Sequence, residues 1–411
     1  MIEVCGRAYA LPREKTAVFC VDGCSPEYLD DALARGLMPR LAGELAPDRG
    51  GFYARGLGQM PSFTNPNNVS IVTGAPPSVH GISGNYFFDR AAGVEVPMNE
   101  PRFLRVPTIF EGLERAGVRT LCVTAKDKLR ALLGAVRDPA VRAPISLSAE
   151  RAHEQTIPGD ARPIPEIVGR ENPSIYDWDI SHYAMEMGLA LHARVGASLV
   201  YVSLTDYVQH KEAPGGPMAD RFYARFDALL GDYLDQGFVC GLTADHGMND
   251  KARADGSPDV RFLDDLLRAA GVSGFRVLLP ITDPHVVHHG ALGSYATVYH
   301  APEVAELVRA TLAKVPGVEA VMSREEAADR LELPADRIGD TVVLGDRSTV
   351  LGKSRELHDL SAVQRGLRSH GGLHERAVPI IVCRPLRAGY PREGAALTNA
   401  DLFDLVLNGL R

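Results

Sequence analysis

The chain has no excess of positive charge and no long apolar run. Forty-four Lys and Arg stand against 52 Asp and Glu among 411 residues, a formal net charge of −8. Proteins that grip a nucleic-acid backbone usually carry a basic stripe, so this balance argues against that class. No stretch approaches the ~18 consecutive apolar residues of a membrane span. The opening segment, MIEVCGRAYALPREK, carries Glu3 and no sustained apolar core, so it does not read as a secretory signal. Cysteine is sparse: six residues, at 5, 20, 24, 122, 240 and 383. Cys20 and Cys24 do not fit a close metal-ligand pair, and no second pair answers them. Six reduced thiols in a cytoplasmic protein are expected. No internal repeat or low-complexity tract is present.

Hydrophobic residues at 45% and charged residues at 23% are ordinary globular values, which excludes general disorder. The length predicts two or three domains, or one large α/β domain with an insertion. Short apolar runs at Thr16–Val21, Thr120–Thr124, Ser198–Leu204, Phe238–Thr243 and Ala377–Cys383 lack polar alternation, as strands buried on both faces do. Amphipathic stretches lie between them at Thr108–Ala116, Ile175–Val195 and Ala219–Leu234, and a helix-like segment, Asn399–Leu410, ends the chain. This rhythm predicts an α/β fold with a largely parallel central sheet flanked by helices. Arg137–Pro173 holds six prolines and reads as a long ordered loop. Residues 251–365 carry helix and strand signals but few chemical motifs, and Gly290–Tyr299 looks like an antiparallel strand. The expected division is a core of residues 1–250 and 366–411, interrupted by a smaller α+β cap at 251–365.

In an open parallel sheet, ligands bind beyond the carboxyl ends of the strands. The first predicted strand ends in Asp22. Ser198–Leu204 ends in Thr205 and Asp206, with His210 four residues on. Phe238–Thr243 ends in Ala244, Asp245 and His246, and His370 precedes the last core strand. Each group alone has a plainer reading: an Asp at a strand end is often a helix cap, and a lone His is often a surface residue. Together they gather three carboxylates and three imidazoles at one edge. Six such ligands exceed one tetrahedral zinc and suit two metals, each with an open position. Zinc suits imidazole with carboxylate best, and manganese or iron less well. Thr64 stands at a predicted helix start, where backbone N–H groups point at anions. It is either an N-cap or, with a metal at its oxygen, a nucleophile. Asn85 is either a turn residue or an amide donor to a phosphoryl oxygen.

Asp22-Gly23, TNPNNVSIVTG, HGISGN, Asp206 with His210, ADHGM and SHGG resemble the alkaline phosphatase superfamily, in its nucleotide pyrophosphatase/phosphodiesterase-like branch. The motifs run from Asp22 to His370 in that family's order. The resemblance implies two Zn²⁺ per chain, one held by Asp206, His210 and His370, the other by Asp22, Asp245 and His246. It implies Thr64 as the nucleophile, touching the second zinc. His374 is a rival to His370, but SHGG matches the family's ligand motif and LHER does not.

Within the branch, the strand RTLCVTAKDKL ends in Lys126 and Lys128. In extended chain, residues i and i+2 face the same side, so both ammonium groups could reach one carboxylate. With SHYAMEMGLALH and TDYVQHK, these lysines resemble the members of the branch that cleave the C–P bond of phosphonoacetate. A small-molecule substrate is then expected, with no nucleic-acid or membrane partner, and a homodimer is compatible. The alternative is a phosphodiesterase or nucleotide pyrophosphatase, for which Tyr86, Phe87 and Phe88 would offer aromatic surface to a base. His285, His288 and His289 are read as surface histidines of the cap or residues behind its ligands.

Overall fold

The computed structural model is described here for residues 1–281, 291–363, 366–392, 394 and 396–411. Two sheets carry the fold. In chain order their strands are β1 (Thr16–Cys20), β2 (Phe52–Leu57), β3 (Thr120–Thr124), β4 (Ile145–Ser148), β5 (Leu199–Ser203), β6 (Val239–Thr243), β7 (Arg276–Leu278), β8 (Tyr295–Tyr299), β9 (Val318–Ser323), β10 (Thr341–Gly345) and β11 (Ala377–Val382). The central sheet has the order β2-β11-β6-β1-β5-β3-β4, and β11 alone runs opposite to the other six strands. The second sheet, β7-β8-β10-β9, is antiparallel throughout. The expected largely parallel α/β core is therefore present, and the second sheet falls within residues 251–365.

Strands β1, β3, β5 and β6 are buried at every residue because helices cover both faces of the sheet. The helices that matter below are α1 (Thr64–Thr73), α2 (Asp127–Leu133), α3 (Ile180–Val195), α4 (Tyr207–Lys211), α5 (Pro217–Asp235) and α6 (Leu402–Asn408). On one face, Phe226 and Tyr233 of α5 set their rings edge-on to Phe19, with centroids 6.0 and 5.0 Å away. On the other, α6 lies so close to β6 that a Cβ at Gly241 would meet Val406 at 2.6 Å. That approach requires glycine there.

Two strands of the central sheet escaped the sequence reading, and both are its edges. Residues of β2 are mostly half-buried or exposed, so FYARGL shows no apolar block. The four-residue β4 lies inside the stretch read as loop, which also holds a short helix, Ile164–Val168. Helix α3 starts at Ile180 rather than Ile175, with Asp179 at its N-cap. The strand expected at Gly290–Tyr299 is β8, starting at Tyr295; Gly290, like His285, His288 and His289, lies outside the described residues.

Helix α1 is buried at all ten positions and ends at Gly74 in the left-handed conformation. Three asparagines in its first five residues are poor helix formers. Asn67 explains one of them. Its Oδ1 accepts from Gln59 N at 2.6 Å and from Asn399 Nδ2 at 2.9 Å. Its Nδ2 lies 3.1 Å from the carbonyls of Gln59, Pro61 and Phe63. One fully buried side chain thus fixes the segment that leads into Thr64. Asn67→Ala would strand several buried polar groups at about 1–3 kcal/mol each. We expect urea unfolding of the metal-free protein to show a loss of at least ~2 kcal/mol; an unchanged midpoint would contradict this account.

Candidate active site

Strand register delivers the site. Cys20 of β1 pairs with Thr243 of β6 and with Ser203 of β5, and Ser203 pairs with Thr124 of β3. The carboxyl ends of four neighbouring strands are therefore level. Two residues beyond this row come Asp22, Asp245, Thr205 and Lys126, and Asp206 follows Thr205. Pleat and register alone aim these side chains into one space.

Asp22, Asp206 and Asp245 are buried there with His246 and His370. One donor atom each from Asp22, Asp245 and His246 lies within 4.8 Å of the others, and so do atoms from Asp206, His246 and His370. His246 belongs to both groups, which the sequence had not indicated. Its ring stacks on that of His370, with centroids 3.6 Å apart and planes 8° from parallel. His210 stands just outside these groups, with its Nε2 2.9 Å from Asp206 Oδ2.

The three histidines share one arrangement. Each donates Nδ1–H to a main-chain carbonyl: His210 to Arg368 at 2.8 Å, His246 to Gly247 at 2.9 Å and His370 to Ser62 at 2.6 Å. Their Nε2 atoms are left facing carboxylates: His246 lies 3.3 Å from Asp22 Oδ1, and His370 3.8 Å from Asp206 Oδ2. A neutral imidazole in this tautomer sets a lone pair against a carboxylate lone pair. A cation between them resolves the conflict.

The carboxylates carry the same signature. Burial, then Asp206 and Asp245, push the Asp22 carboxyl well above its usual range. Asp245 is pushed up to about 7, first by burial. Burial opposes ionisation of Asp206 too, but Lys126 and His210 hold its carboxyl well below the ordinary value. Burial and the neighbouring His246 and His210 hold His370 low. Both oxygens of Asp22 and Nε2 of His246 are buried without any hydrogen-bond partner. Orphaned acceptors of this kind are rare in folded proteins. Three carboxylates and three imidazole Nε2 atoms fit a pair of divalent cations, and the donor set suits zinc.

Thr64 opens α1 beside this cluster and lines a cavity of about 510 Å³ with Asn85, Lys126, Lys128, His210 and His370. The remaining asparagines of its motif now have roles that the sequence did not reveal. Asn68 donates to Asp245 Oδ2 at 3.3 Å and accepts from Tyr201 OH at 2.8 Å, so it orients that carboxylate. Asn65 N donates to Asn85 Oδ1 at 3.0 Å, which ties Asn85 to the start of α1. The Asn85 amide also donates to the Ile281 carbonyl, leaving its second N–H.

The two lysines differ. Lys126 is the extended N-cap of α2, and Lys128 is the second residue of that helix, so the expected all-extended arrangement does not hold. Both still line the cavity. Lys126 Nζ donates to Asp206 Oδ1 at 3.0 Å and lies 4.0 Å from Asp22 Oδ2. Burial disfavours its charge, but Asp206 and Asp22 outweigh that and raise its pKa.

His374 is half-exposed and pairs with Glu319 at 2.8 Å, turned away from the cluster. The aromatic run after Asn85 is also occupied elsewhere. Tyr86 and Phe87 are buried in packing, and Phe88 sets its ring edge-on to Tyr299 at 5.2 Å. None of the three lines the cavity, so they offer no stacking surface to a base there.

A family model described as type I phosphodiesterase / nucleotide pyrophosphatase matches residues 16–373. Crystal structures of phosphonoacetate hydrolase from Sinorhizobium meliloti 1021, in complex with phosphonoformate and with phosphonoacetate, are similar at TM-score 0.90 and 44% identity, over 99% of this chain and 98% of theirs. An inactive murine ectonucleotide pyrophosphatase/phosphodiesterase 5 in complex with AMP is similar at TM-score 0.65 and 17% identity, over 97% of this chain and 96% of its own. That last likeness concerns the fold alone. The level strand ends, the Asp/His cluster and these matches lead to one conclusion: the chain belongs to the type I phosphodiesterase / nucleotide pyrophosphatase family, within the alkaline phosphatase superfamily.

Proposed function

We propose that the protein hydrolyses the carbon–phosphorus bond of phosphonoacetate to acetate and phosphate. The observation that carries this reading is two lysines at the start of α2 in the same cavity as Thr64, in a chain 44% identical over its length to an enzyme crystallised with phosphonoacetate. Lys126, Lys128, Lys211 and Arg368 bring positive charge to the cavity wall; Tyr176 and Tyr207 also line it, whereas Tyr86, Phe87 and Phe88 do not.

Two zinc ions, held by Asp206, His210 and His370 and by Asp22, Asp245 and His246, would supply positive charge to the phosphonate oxygens and acidify the Thr64 hydroxyl. The chain's own residues do the rest. Thr64 Oγ1 attacks phosphorus in line, and the P–C bond breaks as the O–P bond forms. The Asn85 amide donates to a phosphoryl oxygen and holds it for the attack. The leaving carbon would be a poor carbanion, so its electron pair flows into the carboxylate as an enolate. Lys126 and Lys128 stabilise that charge by proximity, and protonation of the carbon gives acetate. Water then attacks the phosphothreonine, releasing phosphate and restoring Thr64.

Residues 251–365 act as a cap in this reading. Ile281 lines the cavity, and Met60 and Phe63, on the approach to Thr64, pack in one apolar cluster with Tyr295, Val342 and Leu344 of the second sheet. No helix among the described residues is long and apolar enough to cross a membrane. All six cysteines are free and five are buried, which supports a reducing compartment, the cytoplasm.

Chelation is expected to abolish turnover and zinc to restore it, with metal analysis of the active protein giving two ions per chain. Clearly fewer than two in fully active protein would contradict the assignment. Thr64→Ala is expected to lower turnover by at least about 10³-fold while phosphate binding stays measurable by calorimetry. Near-normal rates would remove Thr64 from the chemistry. Lys128→Ala is expected to cost phosphonoacetate turnover about 10²–10³-fold and an aryl phosphate ester far less, because that leaving group needs no enolate. Lys126→Ala is expected to harm both substrates, since Lys126 also balances Asp206 and Asp22. The measurement is the ratio of kcat/KM for the two substrates in each variant. Equal losses in Lys128→Ala would contradict its role at the leaving carboxylate.

A further inference from the structure

His246 and His370 sit on irregular segments, yet their rings meet in parallel at 3.6 Å. One residue outside the cavity touches both segments. The Glu375 main-chain carbonyl accepts from Gly247 N, next to His246, at 2.7 Å. Its Oε2 accepts from Gly372 N, two residues after His370, at 3.0 Å. Its Oε1 accepts from Asn249 Nδ2 at 2.6 Å and from Lys251 Nζ at 2.8 Å. Lys251 also donates to the Arg347 carbonyl at 2.8 Å, in the turn that follows β10 of the second sheet. Both charged side chains have zero exposure.

An ion pair this deep is a poor device for stability alone, because desolvation offsets most of the attraction. It is well suited to fixing one arrangement. The carboxylate has three donors in place: Gly372 from its own loop, beside His370, and Asn249 and Lys251 from the segment that follows His246. Shifting either histidine segment would leave a buried charge or N–H unpaired.

We propose that Lys251 and Glu375 are positioning residues that set the separation and aim of His246 and His370 as metal ligands, and that couple this geometry to the second sheet through Arg347. The inference rests on the two-metal reading above. Neither residue lines the cavity, so neither touches substrate.

The test uses metal-free protein and zinc titrated against a chromophoric chelator, beside thermal unfolding of the same metal-free samples. The variants are Glu375→Gln, which keeps the shape, and Lys251→Met, with Leu267→Ala as a control. Leu267 is fully buried in the separate apolar cluster around β7 and β8, so its truncation destabilises without touching the histidine segments. Glu375→Gln and Lys251→Met are expected to bind zinc about 10–100-fold more weakly. Leu267→Ala, at a comparable loss of Tm, is expected to stay within about twofold of the parent. Unchanged zinc affinity in both pair variants, or a loss no greater than in Leu267→Ala, would overturn the proposal. A parent chain that binds no zinc would instead overturn the two-metal reading, and this inference with it.

Discussion

Three carboxylates are buried within one small volume, and most of the site follows from that constraint. Oxygens of Asp22 and Asp245 lie within 4.8 Å of a shared histidine nitrogen and of each other. Two such charges repel by on the order of 3 kcal/mol at an effective dielectric near 20. Among the described residues, Lys126 is the ammonium group paired with them, and it reaches Asp206 and the edge of Asp22. The three imidazoles commit their Nδ1 protons to main-chain carbonyls and turn Nε2 toward the carboxylates; burial opposes a charge on His210, but Asp206 outweighs it and raises the His210 pKa. Such a cluster fits a cation site.

The fold makes this concentration affordable by sharing its cost among elements that are rigid for other reasons. Level strand ends place the three acids. Asn68 and Tyr201 orient Asp245 from beneath, and Asn67 fixes the chain leading to Thr64. Tyr295 and its neighbours in the second sheet pack against Met60 and Phe63, on the approach to Thr64. The cavity beside it, lined by Lys126, Lys128, Lys211 and Arg368, suits a leaving group that gathers charge on a carboxylate.

Much of this was legible in the sequence, for a simple reason. Core strands buried on both faces are continuous apolar blocks, so the residue after each block could be read directly: Asp22, Asp206, Asp245 and, through HGG, His370. Edge strands β2 and β4 were not legible: β2 is mostly half-buried or exposed, and in β4 serine alternates with Ile145 and Leu147, so neither is an apolar block. The sharing of His246 between two ligand groups depends on loop geometry that no spacing encodes. The split between Lys126 and Lys128 was hidden for a related reason: α2 begins between them, so their side chains leave the chain from different conformations. The asparagines of TNPNN drew notice as a motif, but their partners, Gln59, Tyr201 and Asn85, are distant enough in sequence to be invisible without the fold. Glu375 and Lys251 look like ordinary surface charges in sequence, and only their complete burial marks them.

The central claim is that a C–P bond breaks with an enolate leaving. Turnover of phosphonoacetate by zinc-loaded protein in deuterated water tests it most directly, with phosphorus and proton NMR reading the products. The account predicts phosphate and acetate in equal amounts, with one deuterium on the acetate methyl group. Absence of phosphate from phosphonoacetate, under conditions where the same sample cleaves an aryl phosphodiester, would contradict it.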